Sequence, residues 1–205
     1  MRPPLLLLAL AALLSGCIIF DKKSEAVTFY QLVAPTKPAT HASPTVFVPR
    51  ALIPATLRRP NIVLLDDNGW IRVEDAHRWL APLDRAVAEA VGRHVASLSG
   101  LPAVAQTPPE DHLVLLLTVD KMEIFAPAAQ GRTVFVLPGT AENKDTAVLQ
   151  ITYRLERSDG TLLSGQTLTR SRPLKERTAP EFVQAQSANL AAISAEIAQH
   201  LSPSK

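Results

Sequence analysis

Cysteine occurs once in this chain of 205 residues, at position 17, directly after an apolar N-terminal run. One cysteine cannot close a disulfide within the chain, so the fold must be held by a packed apolar core rather than by covalent staples. The run itself, Leu5 to Leu14, consists of leucine and alanine alone. It is about half the roughly 20 residues that a membrane-spanning helix needs. With Arg2 as the single positive charge before it, the run reads as the core of a signal peptide and not as an anchor, so residues 1–16 are expected to be removed.

The four residues Leu14-Ser15-Gly16-Cys17 resemble the bacterial lipobox. That resemblance implies that Leu14, Ser15 and Gly16 are read by the signal peptidase and that Cys17 becomes the acylated first residue of the mature chain. Each buried methylene contributes about 0.8 kcal/mol, and two or more chains hold a protein on a membrane stably. Ile18 follows the cysteine where an aspartate would favour inner-membrane retention, so the expected location is the periplasmic face of the outer membrane. Residues 17–26 are then a lipidated cysteine and a short tether. The nine residues from Ile18 to Ala26 reach roughly 30 Å when fully extended. Residues 27–202 are expected to form one periplasmic domain.

The formal net charge is only +2, and removing Arg2 with the signal brings the mature chain close to neutrality. Nucleic-acid capture needs lysines and arginines clustered on one face. Arg58-Arg59 and Asp21-Lys22-Lys23 are too short for that, so no nucleic-acid partner is expected. Seventeen prolines against eight glycines predict stiff loops between short elements.

The β-branched and aromatic stretch Val27 to Val33 reads as a first strand, and Thr45 to Val48 as a second. Asn61 to Leu65 and Trp70 to Val73 flank Asp66-Asp67-Asn68-Gly69, a hairpin signal because Asn-Gly tolerates positive φ. Leu80, Leu83, Val87, Val91, Val95 and Leu98 recur at steps of three and four, one face of a helix that Pro82 allows to start and Gly100-Leu101-Pro102 stops. His112 to Phe125, Val148 to Leu155 and Thr161 to Thr169 read as strands, the last two joined at Ser158-Asp159-Gly160. Between them, Ala126 to Thr146 reads as an extra hairpin or a loop. Thr178-Ala179-Pro180-Glu181 fits a capping box, and Val183, Leu190, Ile193, Ile197 and Leu201 continue one apolar face. The order of strands, helix, strands, helix predicts an α/β (α+β) fold. In it, two long amphipathic helices cover one face of a mostly antiparallel sheet as a two-layer sandwich. Leu83, Val87, Val91, Ile193 and Ile197 are expected to share its core, with Trp70 and Trp79.

No catalytic constellation can be assembled. His41, His77, His94, His112 and His200 are scattered, and no pair has the spacing of a helical metal site. The carboxylate pairs Asp66-Asp67 and Glu74-Asp75 fall at an expected turn and helix start, where such residues are favoured structurally. No enzyme activity, metal or cofactor is therefore expected.

The order of motifs carries a family resemblance. The lipobox, Thr28-Phe29-Tyr30-Gln31-Leu32, Val48-Pro49 with Ile53-Pro54, Leu57-Arg58-Arg59-Pro60-Asn61-Ile62-Val63, and Arg78-Trp79-Leu80-Ala81-Pro82-Leu83 together resemble the PqiC/YmbA group of ABC-type transport auxiliary lipoproteins. The resemblance implies a non-enzymatic accessory subunit of an envelope lipid-transport system. Its partners would be an MCE-domain periplasmic protein with that protein's inner-membrane permease and ATPase. The loop from Leu52 to Pro60, with Leu52, Pro54, Arg58 and Arg59, is the expected partner surface. A regulator of a cell-wall enzyme and a small lipid carrier with its own apolar cavity stay open as alternatives, as does homo-oligomer formation.

Overall fold

A computed structural model describes residues 25–36, 43–65, 69–104, 106–125 and 145–201. Eight strands and two long helices follow in chain order. They are β1 (Thr28–Tyr30), β2 (Thr45–Phe47), β3 (Asn61–Leu65), β4 (Ile71–Trp79), α1 (Leu83–Ser99), β5 (Ala103–Val104), β6 (His112–Phe125), β7 (Thr146–Arg157), β8 (Leu162–Pro173) and α2 (Ala179–Leu201). A single 3₁₀ turn, Ala55–Leu57, lies between β2 and β3.

The strands form two sheets: a five-stranded one in the order β5-β2-β6-β7-β8 and a three-stranded one in the order β1-β4-β3. The helices pack on each other, α2 lies over β7 and β8, and β3 of the smaller sheet touches both β6 and α2. The α+β sandwich anticipated from the element order is thus present, with its strands divided between two sheets. The long pairings β6-β7 and β7-β8 are antiparallel, while β2 runs parallel to both β5 and β6, and β1 parallel to β4.

Alternation explains the inner face of the larger sheet. Leu115, Leu117 and Val119 of β6 are buried, and so are Ala147, Leu149, Ile151, Tyr153 and Leu155 of β7. A register shift between Val119 and Lys121 moves the buried parity from odd to even positions, so that Met122 and Ile124 still face inward. Without that bulge the second half of β6 would turn its apolar set to solvent. The β7-β8 turn forms where expected: the Gly160 N–H donates to the Arg157 carbonyl at 2.9 Å, and Gly160 has φ +85°, which favours glycine.

Helix α1 begins after Pro82, whose missing N–H costs nothing there, and ends at Gly100 in the left-handed conformation with its N–H on the Ala96 carbonyl. Leu83, Val87, Val91 and Val95 are buried in one core with Ile193 and Ile197 of α2, as expected. Helix α2 buries polar side chains as well. Gln186 donates to the Val148 carbonyl and Asn189 to the Ala147 carbonyl, each at 3.0 Å, while Ser194 bonds back to Leu190 within the helix.

Several expectations need correction. Leu80 and Leu98, assigned to the apolar face of the first helix, are 63% and 56% exposed, because α1 starts three residues after Leu80 and Leu98 lies in its last turn. Trp70 is 77% exposed rather than in the core, since it stands before β4. Trp79 is buried as expected, as the last residue of β4. Glu74 and Asp75 lie within β4 instead of at a helix start, because pairing with β1 on one side and β3 on the other extends that strand. The turn residues Asp66 to Asn68 and the stretch 126–144 lie outside the described residues.

Candidate functional site

The chain's proline-rich connections meet at one place. After β2, the backbone continues alongside β6: the Leu52 N–H donates to Leu117 O and the Val119 N–H to Leu52 O, both at 2.8 Å. The neighbouring Ala51 N–H donates to the Asp84 carbonyl in the first turn of α1 at 3.1 Å. Ile53 and Leu57 then turn into the core, which leaves Ala55 and Thr56 of the 3₁₀ turn on the surface. On the opposite wall, the Trp79 N–H donates to Pro60 O and the Leu80 N–H to Tyr30 O, both at 2.7 Å.

These walls enclose a groove of about 610 Å³, lined by residues 50–53, 58–60 and 79–84. Its bed is apolar, with Trp79 and Leu83 buried beneath and Leu52 and Leu80 exposed at 64% and 63%. Arg50, Arg58 and Arg59 stand around it with a single carboxylate, Asp84, which lies 3.5 Å from Arg50. The Arg58 Nε donates to the Ile53 carbonyl at 3.3 Å, which holds the root of that guanidinium against the loop. Arg59 faces no carboxylate among the described residues.

Of the residues singled out in the sequence, Leu52, Arg58 and Arg59 line this groove together. Pro54 stands outside it, at the N-terminus of the 3₁₀ turn. Cys17, Leu14, Ser15 and Gly16 lie outside the described residues. Sequence reasoning missed Arg50, Leu80 and Asp84 as neighbours of the Leu52–Pro60 loop. The Trp79-Leu80-Ala81-Pro82-Leu83 run was visible as a motif, but its meeting with residues some 25 positions earlier is a tertiary event.

The arrangement can hold an anionic, partly apolar group, and it offers no nucleophile with a base. The described histidines stay apart: His77 Nδ1 meets the Tyr30 hydroxyl at 3.0 Å, His94 Nε2 donates to Val33 O at 3.2 Å, and His112 Nδ1 donates to Pro109 O at 2.7 Å. Burial pushes the His94 pKa below its ordinary value, against the raising effect of its bond to Val33, and Arg93 nearby lowers it further. Among the described residues no group of three His, Cys, Asp or Glu side chains could hold a metal ion. No described helix is long and apolar enough to cross a membrane.

A family model described as "ABC-type transport auxiliary lipoprotein component" matches residues 30–198. Two solved structures share the fold. A crystal structure of an uncharacterized protein is 19% identical with a TM-score of 0.65, over 87% of this chain and 100% of that one. A Xanthomonas campestris protein of the DUF330 family is 15% identical with a TM-score of 0.64, over 84% of this chain and 93% of its own. Comparison with curated protein sequences gives no significant match.

Proposed function

The chain belongs to the ABC-type transport auxiliary lipoprotein family, and from that membership we propose that it is the outer-membrane-anchored accessory subunit of an MCE-type intermembrane lipid transport system. In this role it holds or receives the outer-membrane end of the periplasmic conduit, tied to the membrane through acylated Cys17. The family is one of auxiliary lipoprotein components and not a known enzyme family.

The observation that carries the proposal is the convergence of the motifs. Ile53, Arg58-Arg59-Pro60 and Trp79-Leu80-Ala81-Pro82-Leu83, far apart in sequence, line one groove. Beside it, the tip of the connecting loop, Ala55 and Thr56, is exposed and backed by buried Leu57. Main-chain bonds to β6, α1 and β1 fix this region, and the Arg58 side chain adds one to the Ile53 carbonyl. A stiff, solvent-facing loop of that kind suits docking, because little side-chain or backbone freedom is lost on binding. The tether supports the placement: at roughly 30 Å it keeps the domain beside the membrane that holds its lipid.

Crosslinking in cells followed by mass spectrometry tests the proposal. The expected result is recovery of an MCE-domain protein, with crosslinks from a photoreactive residue at position 55 or 56. Reproducible recovery of a cell-wall synthase or amidase with no MCE-domain protein would replace the transport reading with that of a regulator.

A further inference from the structure

We infer that the groove between the Leu52–Pro60 loop and the Trp79–Asp84 segment seats the headgroup and upper acyl carbons of an anionic phospholipid. This goes beyond the accessory role proposed above and rests on it only for the nearness of a membrane.

Charge is the first argument. Of the four ionised groups at the groove, three are arginines, and the one carboxylate, Asp84, is already engaged by Arg50. Arg58 is bonded through Nε alone, which leaves its two terminal nitrogens open, and Arg59 makes no bond to a described residue. Guanidinium forks match phosphate oxygens in pairs, and such charged bonds are the strong ones. An anion is what this rim lacks.

The bed beneath it rejects a purely polar anion. Leu52 and Leu80 both line the groove and are exposed over most of their surface, beside buried Trp79 and Leu83. A volume of about 610 Å³ lies within the range of small-molecule sites. It gives room for a headgroup and the start of its chains, while the chain ends remain in a bilayer.

The wall also discriminates against an extended peptide. Binding by strand addition needs free main-chain groups along an edge. Here the N–H groups of Ala51, Leu52, Trp79 and Leu80 are all donated to carbonyls within the domain, and the Ile53 carbonyl is taken by Arg58. With those groups taken, side chains are the main source of affinity, which is sufficient for an amphiphile.

Position supplies the last argument. Leu80 is bonded to Tyr30, the final residue of β1, and the tether enters at the start of that strand. At a rise of about 3.3 Å per residue, the groove lies roughly 7 Å along the strand from its start. The bilayer is within its reach.

The test uses the mature full-length lipoprotein in non-ionic detergent micelles doped with equal amounts of phosphatidylglycerol and phosphatidylcholine, with retained lipid read by native mass spectrometry. The expected result is one phosphatidylglycerol per chain, favoured over phosphatidylcholine by about tenfold or more: both lipids offer the phosphate, but only phosphatidylcholine brings a quaternary ammonium against the three arginines. The double variant Arg58→Gln, Arg59→Gln and the single variant Leu80→Gln should each reduce retention by about tenfold. All three side chains are exposed, and unchanged thermal melts will confirm that the variants fold. Equal retention of the two lipids, or retention untouched by both variants, would overturn the assignment. So would retention that inorganic phosphate abolishes at millimolar concentration, since the arginines would then serve a small free anion. Failure of crosslinking to an MCE-domain protein while lipid is retained would refute the proposed accessory role and leave the groove's ligand standing; the reverse outcome would refute the groove's ligand alone.

Discussion

His94 shows how one residue ties stability to pH. Its ring is half-buried on α1, and its Nε2–H reaches the Val33 carbonyl in the segment after β1. Burial disfavours the imidazolium, so the folded-state pKa lies below the ordinary value. The unfolded chain therefore binds a proton more readily than the folded one, and stability falls as pH drops below about 6.5 until the folded-state pKa is also passed. Denaturant midpoints measured from pH 8 to pH 5 should decline more for the parent than for His94→Gln. Parallel profiles would mean that the ring is as well solvated in the fold as in the unfolded chain. Asp145 acts in the same direction at lower pH: its hydrogen bond to Arg177 holds its carboxyl below the usual carboxylate range, so its contribution is present above that range and is lost as pH falls through the folded-state value.

Among the elements, α2 departs furthest from an amphipathic stripe. Gln186, Ser187, Asn189 and Ser194 are buried with its aliphatic residues. Asn189 and Gln186 carry side-chain amides to main-chain carbonyls of β7, so the helix is seated on the sheet by hydrogen bonds as well as by packing. Asn189→Ala should destabilise the domain by about 1–3 kcal/mol, since it removes a buried donor and leaves a small void. Urea unfolding measures this, and a midpoint equal to the parent's would show that the amide adds nothing. The amides were not legible in the sequence, because Asn and Gln between apolar positions read as an exposed face. Strands β6 and β7 and helix α1 were legible, since alternation, Pro82 and Gly100 act locally. The length of β4 was not, because its charged middle satisfies a helix start as well as a strand and only the neighbours β1 and β3 decide between them. Arg58 and Arg59 were legible as an exposed pair, whereas the groove they edge required the fold.

For the whole molecule, the prediction with the widest reach concerns attachment. Replacing Cys17 by serine removes the thiol that would carry the lipid, so the chain should accumulate as unprocessed precursor or appear in the soluble fraction. Membrane fractionation with intact-mass analysis decides this, and a parent chain that begins elsewhere without acyl mass would rule it out. A domain of this design also separates two selective pressures. The groove's outline is drawn by peptide groups, Leu52 on β6, Ala51 on α1, Trp79 beside Pro60 and Leu80 on Tyr30, while the side chains that face its contents are largely solvent-exposed. Exposed positions tolerate substitution at small cost to folding. An exchange of leucine for another apolar residue, or of arginine for a neutral one, would therefore alter what the cleft accepts while leaving its main-chain outline in place.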